Sequence, residues 1–302
     1  MYGQPANTHY DWTLAAKKDA DESFQLPNGI LHPLLIEQFN NKVSKTLFNN
    51  DHDPLGLGSD HERATYVSFL AEDLRELEER LERDANPTTP LYLRAAALNL
   101  RLSAFFSPST VPTYHRDLHE LYKATTAFLK ACFDLGRPID MLTPNSGASY
   151  NITIANGTTY LFQMMLAAGF SLLKLNYSFL GQHGYDTEYA RNLFRQTLFK
   201  LRSMSVAEND LAERLAEVLA QVWLSGRVRA EPNEDNIGVG DCDNSLRLRL
   251  RCRMSMSLVY DSVWHWRNNL QIKGKPLEGS RIRCPWRDTL LTESRSLPAK
   301  PN

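Results

Sequence analysis

The chain has 302 residues, 34 Lys and Arg against 35 Asp and Glu, a formal net charge of −1, and 42% hydrophobic side chains. That balance belongs to ordinary globular proteins, and it excludes a mostly disordered chain or a uniformly basic nucleic-acid binder. The four cysteines, Cys132, Cys242, Cys252 and Cys284, form no CxxC pair. Neither a disulfide scaffold nor a zinc finger with close ligand pairs is expected, and a reducing compartment is. The first residues show no basic stretch followed by an apolar one, so no secretory signal is expected. The Asn-x-Ser/Thr triplets at Asn151, Asn156 and Asn176 then read as chance.

Charge is unevenly placed. Residues 1–150 carry 14 basic and 20 acidic side chains, while 151–302 carry 20 and 15. Residues 246–295 alone hold 11 Lys and Arg against 4 Asp and Glu. Such a stretch is either a nucleic-acid footprint or a solvated face, and the second is the plainer reading.

Residues 1–29 are polar and weakly periodic, which predicts a flexible arm. From about Pro33 to Phe48, Leu34, Leu35, Phe39, Val43 and Leu47 fall at helical spacing. Ser59 stands three before Glu62, a capping-box pattern that opens a helix running to about Arg83. Tyr66, Phe69, Leu70, Leu74, Leu77 and Leu81 make its expected apolar side, with Glu and Arg alternating opposite. Thr89-Pro90 begins a third helix, LYLRAAALNLRLSAFF, which ends before Pro108. A fourth amphipathic run extends from about Pro112 to Leu135, and a long connection follows to Asn156.

Thr159–Leu180 is apolar nearly all round, the mark of a central buried helix. Gln163, Lys174 and Asn176 inside it, with no second such run, speak against a membrane span. Thr187–Ser203 and Asp210–Ser225 are amphipathic. The second has Leu211, Leu215, Val218, Leu219, Val222 and Trp223 as its stripe and Gly226 as its expected stop. Residues 230–244 form an acidic, Gly- and Asn-rich loop. From Leu246 to Ser257 strict alternation fits a strand, whereas the continuation through Val259, Val263, Trp264 and Trp266 fits a helix. With every other element helical, the whole stretch is read as helix.

Catalytic chemistry finds no footing in the pattern. His115 and His119 share a helix face at a spacing that can hold zinc, but HRDLHE is not the HExxH order and no third ligand is apparent, so they read as polar residues on a wet face. The acidic loop with Asp51, Asp53, Asp60 and Glu62 misses the calcium-loop spacing. Gly56-Leu-Gly58 and Gly238-Val-Gly240 are lone fragments without a phosphate-binding context, and there is no GxSxG. Leu74, Leu77 and Leu81 last too short a distance for a coiled coil. No enzyme is expected.

Three stretches together resemble the regulatory middle region of fungal zinc-cluster (Zn2Cys6) transcription factors, in the branch of the leucine-biosynthesis and secreted-protease activators. They are residues 91–106, residues 161–223, in which a helix ending LRSMSV is followed by an NDL turn and RLAEVLAQVW, and RCRMSMSLVYDSVWHWRNN at 251–269. The resemblance spans roughly residues 30–270. It implies an all-α, multi-helix regulatory domain over 30–286, with a flexible arm at 1–29 and a disordered tail at 287–302.

It also implies a nuclear protein that controls transcription by RNA polymerase II through the transcription machinery, a homologous factor or a small-molecule effector. The family reads DNA through a six-cysteine cluster that holds zinc. None of the four cysteines here can serve in one, so DNA contact, zinc and any other cofactor are not expected in this chain, nor is a membrane. The alternative is a free-standing helical scaffold, or a dominant-negative relative that pairs with full-length factors. An effector pocket beneath the central helix would be lined by Met164, Met165, Phe170 and Trp223; otherwise those side chains simply form the core.

Overall fold

The computed structural model describes residues 27–48, 60–81, 88–134, 159–230, 246, 248 and 257–272. Among them the chain is all-α. The elements are α1 (Asn28–Val43), α2 (Asp60–Leu81), α3 (Thr89–Arg101), α4 (Tyr114–Asp134), α5 (Thr159–Leu175), α6 (Thr187–Ser203), α7 (Leu211–Ala230) and α8 (Ser257–Ile272). Helix α3 tightens into a 3-10 turn at Leu102–Phe106, while wider π-type turns end α1 at Ser44–Phe48 and α5 at Asn176–Leu180.

The apolar spacing of each segment decides which face it buries. On α2, Val67, Leu70, Leu74, Leu77 and Leu81 are buried, and Arg75 bridges Glu72 and Glu79 on the outer face. Exposed pairs of that kind contribute little, so burial holds the helix in place. On α4 the inward set is Tyr114, Leu118, Leu121, Tyr122, Phe128, Leu129 and Cys132. Helix α6 is capped by Asp186, whose carboxylate accepts the Tyr189 N–H at 2.9 Å. Helix α7 is capped by Asp210, which accepts the Glu213 N–H at 2.9 Å and the Val206 N–H at 2.8 Å. Asn209, just before it, has φ 58°, a left-handed conformation that Asn tolerates better than most residues.

Helix α5 is the hub. It packs against α3, α4, α6, α7 and α8. Twelve of its residues are buried, among them Leu161, Leu166, Phe170, Leu172 and Leu175. Gly169 lets α7 come close: a Cβ built there would stand 2.6 Å from Leu219 Cδ2. Lys174, the one charged residue inside the apolar run, reaches α8 and pairs with buried Asp261 at 3.0 Å. No helix among the described residues is long and apolar enough to cross a membrane.

Several expectations need correction. Leu246 and Leu248 are not helical: Leu246 lies in a turn, and the Leu248 N–H donates to the Phe105 carbonyl at 3.2 Å. Both leucines are buried, which fits the alternating pattern. Two residues along a helix turn the side chain by about 200°, so a helix would have pointed the two leucines to opposite sides, whereas extended chain keeps them on one. Among the described residues, the helix is seen from Ser257.

Gly226 does not stop α7, which continues to Ala230; an internal glycine costs a helix only about 1 kcal/mol. Helix α1 starts at Asn28, so residues 28 and 29 belong to the helix and not to the arm, and Pro33 is accommodated within it. Tyr66 and Phe69 on α2 and Leu211 on α7 are exposed, because the buried stripes are centred one position away, on Val67 and on Ala212, Ala216, Leu219, Ala220 and Trp223. The arm over 1–26, the Ser59 cap, the connection before Asn156, the acidic loop, the tail at 287–302, and Cys242, Cys252 and Cys284 lie outside the described residues.

Candidate functional site

The four residues expected to line an effector pocket are parts of the packed interior. Met164, Met165 and Phe170 on α5 are buried, and so is Trp223 on α7. The Trp223 ring stacks on Phe194 of α6, with centroids 4.0 Å apart and planes 18° from parallel. Together with the Gly169–Leu219 contact, this makes the α5–α6–α7 junction a close three-helix seam. Anything entering there has to part the helices.

A cavity does exist at a place the sequence reading missed, between α2, the end of α3 and the start of α4. Arg63, Ala64, Val67, Arg101, Ser103, Ala104, Ser107 and Asp117 line it, and it measures about 10 Å³, room for one water molecule. Arg63 is only 3% exposed, and its guanidinium lies 5.7 Å from the centre of the Phe106 ring. Burial pushes the Arg101 pKa below its ordinary value, with Glu120 and Asp117 opposing that shift. The Ser103 hydroxyl donates to the Leu100 carbonyl at 2.8 Å. Asp117 is held by the Thr113 hydroxyl at 2.7 Å and stands 3.7 Å from Arg116. One feature of the sequence could have found this place: Arg63 stands four before Val67, on the same stripe as Leu70, Leu74, Leu77 and Leu81. A cation on an apolar stripe is either misplaced or employed.

A second polar cluster ties α1, α3 and α5 together. The Tyr160 hydroxyl donates to Asn40 Oδ1 at 3.3 Å, and Asn99 Nδ2 donates to the same oxygen at 3.4 Å. Tyr92 and Tyr160 lie with their rings nearly parallel, 6.5 Å apart. Burial raises the pKa values of Glu37 and Tyr160. Nearby, His32 and Thr89 are hydrogen-bonded at 3.1 Å.

Of the two histidines of α4, His115 is exposed, as expected, and His119 is half-buried. His119 is hydrogen-bonded to the Tyr185 hydroxyl. His115 lies 5.2 Å from the His183 ring and 6.3 Å from Phe179. His183 in turn stacks on Phe179 at 4.2 Å and contacts its carbonyl through Nδ1 at 2.9 Å. The turn that ends α5 thus docks on α4 through rings, a long-range contact that helical spacing alone does not encode. Among the described residues no three His, Cys, Asp or Glu side chains are grouped as a metal ion would require. Cys132 is buried and its thiol is pushed well up by that burial, which leaves it a poor nucleophile.

No protein-family model matches the chain, and no curated protein or solved structure matches it either.

Proposed function

We propose that the chain is the regulatory middle region of a fungal zinc-cluster transcription factor, acting in the nucleus on transcription by RNA polymerase II through a partner or a small effector. The observation that supports this reading is how the three stretches of resemblance are used. Residues 91–106 form α3 and its 3-10 turn, 161–223 carry α5, α6 and most of α7, and 257–269 lie in α8. Those elements meet around α5. A resemblance confined to helix-packing patterns is best explained by a shared helical body, because packing is what those residues do here.

Such a body regulates by having two packings of similar free energy, between which an effector or partner shifts the balance by its differential affinity. The buried side chains Met164, Met165 and Phe170 of α5 and Trp223 of α7 are our candidates for the place where that happens. An effector reaching these buried side chains must displace packed helices, so binding and rearrangement are one event. The methionines offer the adaptability to line the opened space.

The test is a reporter assay in yeast with the full chain fused to an unrelated DNA-binding domain. Reporter output changed severalfold in either direction, together with nuclear accumulation of the unfused chain, is the expected result. An unchanged reporter at equal protein level, or a chain excluded from the nucleus, refutes the reading.

A further inference from the structure

The turn between α6 and α7 carries a pattern that the proposed regulation does not use. Ser205 is the one serine or threonine in the chain with an arginine three positions before it, Arg202. Lys200 stands two positions further back, and Val206 follows the serine. Cations ahead of a hydroxyl and an apolar residue after it are what a base-selecting protein kinase reads, since its acidic groups pair with the cations. The structure presents this stretch for such reading. Helix α6 ends at Ser203, and the chain from Met204 to Asp210 is not helical. Val206 is 93% exposed, and the Ser205 hydroxyl donates to the Ala207 carbonyl at 3.0 Å within the turn. Arg202 meets Glu217 at 3.3 Å, but the two side chains are 30% and 31% exposed, and a pair so open to water contributes little. An extended fit to a kinase cleft therefore requires only that the last residues of α6 open, and helix ends fray readily. Ser203, by contrast, lies inside the helix, donates to the Lys200 carbonyl at 2.7 Å and has lysine three positions before it.

We infer that Ser205 is a phosphorylation site, read through Arg202 and Lys200 by a base-selecting protein kinase, and that its phosphate unlatches the start of α7. The γ-phosphoryl group of ATP passes to Ser205 Oγ. A P–O bond to the serine forms as the bond to the β-phosphate oxygen breaks; ADP leaves with that electron pair, and the hydroxyl proton goes to the kinase's catalytic carboxylate. The new group carries a charge of about −1.5 to −2 near neutral pH. It arises beside Asp210, whose Oδ2 accepts the Val206 N–H at 2.8 Å and the Ala207 N–H at 3.5 Å. The Oδ1 of the same carboxylate accepts the Glu213 N–H at 2.9 Å and so caps α7. Like charge this close drives the carboxylate out of the turn and weakens the cap. The site stands independently of any role in transcription.

The experiment incubates the full chain with magnesium ATP and the catalytic subunit of protein kinase A, a base-selecting kinase, and maps phosphate by peptide mass spectrometry. One phosphoryl group on Ser205 is expected, and none at that position in Ser205→Ala. Arg202→Gln should slow its incorporation about tenfold, the loss of one charge-assisted pair with the kinase. Neither substitution touches a buried side chain, and circular dichroism checks that both variants fold. An unphosphorylated Ser205, or a rate unchanged in Arg202→Gln, overturns the assignment. Thermal unfolding then reads the consequence. The fully modified chain should melt about 2–4 °C lower, as for a lost helix cap, while Ser205→Ala treated in the same way should not shift. An unchanged midpoint at full modification overturns the unlatching of α7.

Discussion

The pair formed by Lys174 of α5 and Asp261 of α8 allows a sharp test of how the hub is held. The two charges are 3.0 Å apart, with Lys174 12% exposed and Asp261 fully buried. At that distance and an effective dielectric near 20, their attraction is about 5 kcal/mol, most of which is offset by the loss of hydration on burial. Breaking such a pair one-sidedly costs about 3–5 kcal/mol, because the remaining charge stays buried. Lys174→Met keeps the apolar stem but removes the positive charge that faces the buried Asp261 carboxylate. Asp261→Asn leaves the ammonium in place, and Lys174 is near enough to the surface to reach water, so this variant should cost less.

Replacing both, as Lys174→Met with Asp261→Leu, removes the charges together and should return most of the lost stability. Urea unfolding followed by circular dichroism measures each step. In thermal terms the Lys174→Met loss corresponds to a midpoint lower by about 10 °C. Single losses below about 1 kcal/mol, as surface pairs give, would refute the reasoning. So would a double variant as unstable as the sum of the singles.

Other consequences are open to the same methods. Gly169→Val forces new methyl groups into the 2.6 Å approach to Leu219, so a loss of about 3 kcal/mol is expected, partly recovered by adding Leu219→Ala; tolerance within about 0.5 kcal/mol would show that the seam is loose. Leu248→Ala should cost about 2–5 kcal/mol if that leucine is seated on the core beside Phe105, whereas an unchanged urea midpoint would place it at the surface. Three backbone N–H groups, led by those of Glu213 and Val206, hold the Asp210 carboxyl down to about 2 from an ordinary 3.8. A depressed carboxyl adds stability that is complete above pH 3.8 and lost as pH falls through about 2, so Asp210→Asn should flatten the acid limb of the stability curve between pH 4 and 2. Parallel limbs in the two proteins would remove Asp210 from that role.

The helices were legible in the sequence wherever the apolar spacing was unambiguous. The span Thr187–Ser203 is found to the residue, and the apolar run from Thr159 is indeed the buried centre, with Lys174 in it partnered and not lipid-facing. Legibility failed where two periods competed or where a local stop rule was too weak to end a helix. The alternation at Leu246 and Leu248 was overruled by analogy with the neighbouring helices, although the alternation was the better guide. Gly226 carried the conventional helix-ending residue, yet α7 runs on.

Spacing fixes a helix and the direction of its buried face to within about one residue, because both follow from backbone geometry alone. The composition and charge of this chain, its helical class and its central helix are therefore properties of the sequence by itself. Which atoms from distant segments meet is another matter. The Arg63–Arg101 cavity, the His115–Phe179–His183 rings and the Lys174–Asp261 pair each join residues that are 38 to 87 positions apart. Their distances depend on how the helices pack against one another, and only the tertiary structure decides that.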